Sequence, residues 1–168
     1  MGIRRWISGT LRPDKLETDS VSTDKLSITE DFSRLTYEGV AQSIPNDSLT
    51  VVEWDTAPDD NLGAADPANN QFVIPEDGTY YITGWVEWQS DSGWSTGDQA
   101  AFDTNGIGVG TFKDLKIGTE RQRVVLNDYI SNFNANDTVD TAVLQSSGSS
   151  QSLEPGSDSM NLMIARLG

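Results

Sequence analysis

Residues 71–88 read QFVIPEDGTYYITGWVEW, and the pattern within them decides the fold class. Pro75 and the Asp77-Gly78 pair divide the stretch into two apolar runs, as a tight turn between strands does. Side chains of a strand alternate between its faces. In 79–88, Tyr80, Ile82, Val86 and Trp88 therefore share one side with Gly84, and Tyr81, Thr83, Trp85 and Glu87 share the other. The first set is predicted to be core. The second carries two large aromatics, more than a solvated face needs.

Outward from this stretch, the apolar runs stay short and β-rich: LTVVEW at 49–54, RQRVVLNDY at 121–129, TVDTAVLQ at 138–145 and NLMIARL at 161–167. Gly, Pro, Asn and Asp clusters separate them, a spacing that predicts an all-β sandwich or barrel. No long segment repeats apolar residues at the helical period, so helix should be scarce. The last run resembles 79–88 in having two apolar faces, with Leu162 and Ile164 on one and Met163, Ala165 and Leu167 on the other. A strand apolar on both faces is buried on both. A second copy of the chain is the economical cover, which makes Tyr81, Trp85, Met163, Ala165 and Leu167 the expected oligomer interface.

The quoted stretch resembles the signature hairpin of the C1q/TNF-like jelly roll. Phe72, Pro75, Gly78, Tyr80 and Trp85 fill the places of its Phe, aliphatic-Pro pair, Gly turn and alternating aromatics. ISNFNANDTVDTAVLQSSGSS at 130–150 is similar to the family's acidic turn before a strand, at Asn136, Asp137 and Val139. SMNLMIARLG at 159–168 is similar to its closing strand, and TVVEWDTAPDDN at 50–61 to its first-strand region. The resemblance covers roughly residues 37–168. It implies a ten-stranded jelly roll that forms tight homotrimers and serves as a recognition head on a stalk rather than as an enzyme. No Gly-X-Y repeat precedes the head, unlike the collagen-bearing relatives.

The formal net charge is −15 across 168 residues, with a pI near 4.1. Phosphate recognition needs a basic stripe, so nucleic acid is excluded as a partner. The charge is also unevenly placed. Residues 39–168 carry five basic against nineteen acidic residues, a net of −14, while residues 1–38 are within one charge of neutral. Strong salt screens such self-repulsion, since the Debye length falls to roughly 3 Å at 1 M. Acid excess of this kind marks either a salt-loving source or an acidic mesophilic protein. With no cysteine, no disulfide or thiol chemistry exists. No apolar stretch is long enough to span a bilayer, and MGIRRWISGT at 1–10 is too short and polar for a secretory signal.

Upstream of the head the texture changes twice. Residues 1–10 are basic. Ile3, Arg4, Arg5, Trp6 and Ile7 read either as a peptide that docks onto a larger assembly or as an unstructured start. In residues 11–30 an aliphatic residue recurs every five positions, at Leu11, Leu16, Val21 and Leu26, with Asp14, Asp19 and Asp24 three places after the first three. Neither the helical nor the strand period produces that spacing. Four such units hold too little apolar surface to fold alone, so they form a stalk completed by other copies or by a host particle. The rival reading is a Ser/Thr/Asp-rich linker with an accidental period. The expected organisation is thus a docking peptide at 1–10, an extended stalk at 11–36 and a jelly-roll head at 37–168. The wording TDSVSTDKL at 18–26 resembles stalks of haloarchaeal viral and proviral structural proteins.

Catalysis finds little support. Histidine and cysteine are absent, which removes the usual general bases, thiol nucleophiles and soft metal ligands. Two binding sites are conceivable. In DTAPDDNLGAAD at 55–66, Asp55, Asp59, Asp60 and Asp66 offer the oxygen ligands Ca²⁺ prefers, or else form a solvated acidic loop without EF-hand spacing. Trp94, in QSDSGWSTGDQ at 89–99, either stacks on a host glycan or folds back over the core or an interface. No other cofactor is expected.

These observations converge on a non-enzymatic virion structural protein, a capsid decoration, turret or spike. Its trimeric head would be displayed on the particle surface, and its N-terminus would bind other virion proteins. The alternatives are a tail-fibre tip that recognises host surface glycans or glycoprotein, and a cellular halophile adhesin or provirus remnant.

Overall fold

The computed structural model describes residues 31–89, 99–104, 111–114, 122–126 and 128–167; for 99–104, 111–114 and Gln122 it describes the backbone. The anchor positions Ile3, Arg4, Arg5, Trp6, Ile7, Leu11, Leu16, Val21 and Leu26 lie outside the described residues, as does Trp94.

Among the described residues fourteen strands follow in order: β1 Phe32–Thr36, β2 Ser43–Ile44, β3 Thr50–Val51, β4 Thr56–Asp60, β5 Ala65–Asp66, β6 Gln71–Val73, β7 Gly78–Trp88, β8 Gln99–Thr104, β9 Thr111–Asp114, β10 Gln122–Val125, β11 Tyr129–Phe133, β12 Thr138–Gln145, β13 Gln151–Ser152 and β14 Met160–Arg166. Four of them (β2, β3, β5 and β13) are two-residue pieces, which leaves ten of ordinary strand length. The one helical piece among the described residues is the 3-10 turn Pro67–Asn69.

Two antiparallel six-stranded sheets make the sandwich. The first runs β10-β7-β14-β1-β4 with β11 also on β7; the second runs β5-β6-β12-β8-β9 with β3 also on β12. The all-β jelly-roll expectation is therefore met. The core between the sheets holds Leu35, Trp54, Phe72, Tyr80, Ile82, Val86, Trp88, Val143, Leu162 and Ile164. Each large apolar side chain so buried contributes about 1.5–3 kcal/mol. The central tryptophan is polar-satisfied: the Trp54 indole N–H donates to Thr141 Oγ1 at 3.0 Å, and its backbone N–H to Asn70 Oδ1 at 2.8 Å. Asn70 can reach because its own backbone is left-handed, with φ 59°.

The longest strand, β7, explains why residue 84 is glycine. Its far half pairs with β10 through Trp85–Trp88 and its near half with β11 through Gly78–Ile82, so its neighbour changes at Gly84. There Leu126 N–H donates to the Gly84 carbonyl at 2.9 Å. On the other side β14 presses close: a Cβ on residue 84 would lie 2.5 Å from the Asn161 carbonyl oxygen and 3.1 Å from Leu162 Cα. Backbone atoms cannot swing aside as a side-chain tip does. Gly84→Ala is expected to cost about 1–3 kcal/mol. It should lower the denaturation midpoint without changing the slope of the transition.

Three expectations are corrected. The head does not begin at residue 37. Phe32–Thr36, placed at the end of the stalk by its polar flanks, is an inner strand of the first sheet between β14 and β4. The first strand of the sandwich is consequently not in 50–61; that stretch supplies the short β3 and the edge strand β4, whose Pro58 and adjacent aspartates discourage a further neighbour. The run 121–129 is not one strand but the whole of β10 and the start of the next, since β10 spans Gln122–Val125 and β11 opens at Tyr129.

Candidate functional site

Burial splits β7 as its alternation demands. Tyr80, Ile82, Val86 and Trp88 are fully buried, while Tyr81, Thr83, Trp85 and Glu87 on the outer face are partly exposed. In β14, Leu162 and Ile164 are buried and Met163 and Ala165 are not. Strand register then assembles the outer face row by row. Ile130, Tyr81, Ala165 and Phe32 stand directly opposite one another on four adjacent strands. The next row is Thr83, Met163, Arg34 and Asp59. Beyond it come Val125, Trp85, Asn161 and Thr36, and then Arg123 with Glu87.

The face grades from apolar to polar along the strands. At the end where β1 starts and β14 finishes, Ile130 is 61% and Leu167 56% exposed. They flank the Tyr81–Ala165–Phe32 row and are held by the edge of β7, where Leu167 N–H donates to the Thr79 carbonyl at 2.8 Å. At the opposite end the face is tied within the protomer. Arg123 lies 5.1 Å from the Trp85 ring centroid, a cation–π contact. Its guanidinium also meets Glu87 Oε1 at 2.8 Å and the Asp158 carbonyl at 2.8 Å. The Trp85 indole N–H donates to that same carbonyl at 3.1 Å, and Ser159 Oγ donates to Glu87 Oε2 at 2.9 Å.

Of the five residues expected at an interface, Tyr81, Met163 and Ala165 are thus brought together, and Leu167 lies at the end of the same face. Trp85 shares the face but is committed to Arg123 and Asp158. Sequence reasoning missed Phe32, Ile130 and Val125. Ile130 had a usable signal, because it alternates with Tyr129 and Phe133, which pack against the core.

Charge is partitioned with equal clarity. The described cationic side chains are Arg34, Arg123 and Arg166, all on the first sheet and each against a carboxylate: Asp59 at 2.7 Å, Glu87 at 2.8 Å, and Glu76. On the first sheet these three arginines therefore present no uncompensated positive charge.

The four Ca²⁺ candidates do not converge. Asp55 accepts from Glu38 N–H and the Thr56 hydroxyl, Asp59 pairs with Arg34, and Asp66 accepts from the side-chain amides of Asn69 and Gln71. Asp60 Oδ1 accepts from Ser33 Oγ and from the N–H groups of Ala64 and Ala65. These bonds close the turn through Gly63, whose φ is 70°. Adjacent strand residues such as Asp59 and Asp60 point to opposite faces. Among the described residues no cluster of three acidic side chains could hold a metal ion. Each carboxylate is engaged with a different neighbour, and Asp60 is the one that fastens the loop's own backbone.

Three phenols have a proton affinity raised above the ordinary 10.0. For Tyr37 and Tyr80 burial is the leading cause; for Tyr81 it is the hydrogen bond to Asp128, at 2.7 Å. A raised folded value means the folded state holds the proton more tightly. The corresponding stability is fully present below pH 10 and is lost as pH climbs through the folded values. The near-ultraviolet phenolate signal of these three residues should therefore rise late, and together with unfolding, above pH 10. A free titration at 10.0 of all tyrosines in the native protein would contradict these placements.

No protein-family model matches the chain, and no curated protein matches it. Solved structures do. Murine APRIL superposes with a TM-score of 0.53 at pH 8.0 and 0.54 at pH 5.0, at 12% and 11% identity, covering 82% of this chain and 98% of that one. The Eiger TNF of S. frugiperda superposes with a TM-score of 0.51 at 9% identity, covering 82% and 92%. At such identities the likeness is one of fold, a TNF-like jelly roll.

Proposed function

We propose that this chain is a non-enzymatic virion structural protein of a halophilic archaeal virus, presenting a trimeric jelly-roll head at the particle surface as a decoration, turret or spike. The observation that carries the self-association is the outer face of the first sheet. It combines an apolar row across four strands with the pairs Arg34–Asp59 and Arg123–Glu87, on a head whose sequence is acidic overall. A hydrophobic face framed by satisfied ion pairs suits a subunit contact, whereas an acidic remainder resists contacts made any other way. The TNF-like fold supports three as the copy number. The virion setting is supported by the acid excess, by the pentad segment at 11–30 and by the basic, Trp6-bearing start.

Quantitative mass spectrometry of purified particles tests the reading. A decoration or spike protein should be present in tens to hundreds of copies and be dispensable for adsorption. A rare protein whose free head blocks infection would instead be a fibre tip. Absence from particles would leave the cellular adhesin or provirus remnant.

A further inference from the structure

The chain contains two Asn-X-Ser/Thr triplets, Asn46-Asp47-Ser48 and Asn136-Asp137-Thr138, and the structure treats them differently. In the first, Asn46 is partly buried and both ends of its amide are in use. Oδ1 accepts from Gly148 N–H at 2.6 Å, and Nδ2 donates to Asp47 Oδ2 at 2.6 Å. Modification would place a sugar on the nitrogen that faces Asp47, on a partly buried side chain whose oxygen holds Gly148, so this loop would have to shift.

The second triplet sits on the turn between β11 and β12. Asp137 N–H donates to the Asn134 carbonyl at 3.0 Å, closing the turn, and Asn136 occupies its left-handed position at φ 71°. Backbone bonds fix the residue, since Asn136 N–H donates to the Ile74 carbonyl at 2.8 Å. Its side chain is exposed and makes no hydrogen bond to any described residue; the same is true of the Thr138 hydroxyl. The middle residue is also out of the way. Asp137 Oδ2 accepts from Asn134 N–H at 2.7 Å, so the carboxylate folds back into the turn. A rigid turn thus displays the two groups that N-linked glycosylation requires, a free carboxamide nitrogen and a free hydroxyl two residues on.

We propose that Asn136 is an acceptor for N-linked glycosylation and that Asn46 is not. The donor is a lipid-linked oligosaccharide phosphate. Asn136 Nδ2 forms a bond to the anomeric carbon, the bond from that carbon to the phosphate oxygen breaks, the lipid phosphate departs with the bonding electrons, and the amide proton is released to a base of the transferase. Such transferases act on the outer side of a membrane. The modification therefore requires that the head be presented there, which the virion reading does not itself demand.

The test is peptide mass spectrometry on the full chain exported by a host with an N-linked pathway. Cleavage after Arg and Lys separates the triplets into peptides 35–113 and 124–166. A saccharide increment is expected on 124–166 and not on 35–113. Asn136→Gln and Thr138→Ala should each abolish it, and Thr138→Ser should retain it. Peptide 124–166 at its unmodified mass, or an increment carried by Asn46, overturns the proposal. Neither result bears on particle copy number, so this inference and the virion reading fail separately.

Discussion

Ile130→Glu should leave the protomer folded and abolish its self-association. Ile130 is 61% exposed on the edge strand β11, so a carboxylate there is solvated in the monomer and folding loses little. In an oligomer built on the outer face, the same carboxylate would be desolvated beside Tyr81 and Ala165, with no cation in its row. An unpaired buried charge costs at least about 3 kcal/mol, more than a hundredfold in each dissociation constant. Three equivalent contacts compound that loss. Light scattering of the full chain in strong salt should report a trimer for the parent and a monomer for the variant, with matching circular dichroism. Leu49→Glu is the control. That residue is as exposed as Ile130 but adjoins β3 on the second sheet, so the variant should remain trimeric. The reverse pattern would move the interface to the second sheet, and a monomeric parent would refute the trimer.

Much of this surface could be read from alternation alone. Tyr81, Met163 and Ala165 were separable from Tyr80, Leu162 and Ile164 because a period of two leaves no other choice once one face is buried. What the period cannot supply is the neighbour. Phe32 joins the row only because β1 inserts between β14 and β4, a long-range pairing for which FSRLT carries no local mark. Trp85 was placed on the correct face, yet its capture by Arg123 and Asp158 depends on β10 and the loop before β14, both distant in sequence. For the aspartates of 55–66 the sequence left two readings open, Ca²⁺ ligands or a solvated acidic loop. Composition reports oxygen density, whereas a metal site needs convergence, and here each carboxylate is spent on a separate local bond. The start of the head was misjudged because β1 has polar residues on its outward positions, Arg34 and Thr36, where the sheet pairs charge instead of exposing grease.

Withdrawal of salt should destabilise the head by several kilocalories per mole, and two opposing terms decide the sign. The pairs Arg34–Asp59, Arg123–Glu87 and Arg166–Glu76 strengthen as salt falls, but all three are partly exposed and are worth about 0–1 kcal/mol each. Against them stand nineteen acidic and five basic residues over 39–168. Their repulsion reaches across roughly 10 Å at 0.1 M, compared with roughly 3 Å at 1 M. Even with every base in that span paired, acids remain in large excess, so repulsion wins. On moving from 1 M to 0.1 M salt, a loss of roughly 3 kcal/mol corresponds to a melting temperature lower by about 10 °C. Screening and salting-out are separable by shape. Screening is nearly complete by about 1 M and does not depend on which monovalent salt is used, whereas strengthened burial keeps growing with concentration and follows the identity of the anion. A melting temperature flat from 0.1 to 1 M would remove the electrostatic basis of the halophile reading. A rise that saturates near 1 M, equal in sodium and potassium chloride, would establish that the acidic surface requires screening to stay folded.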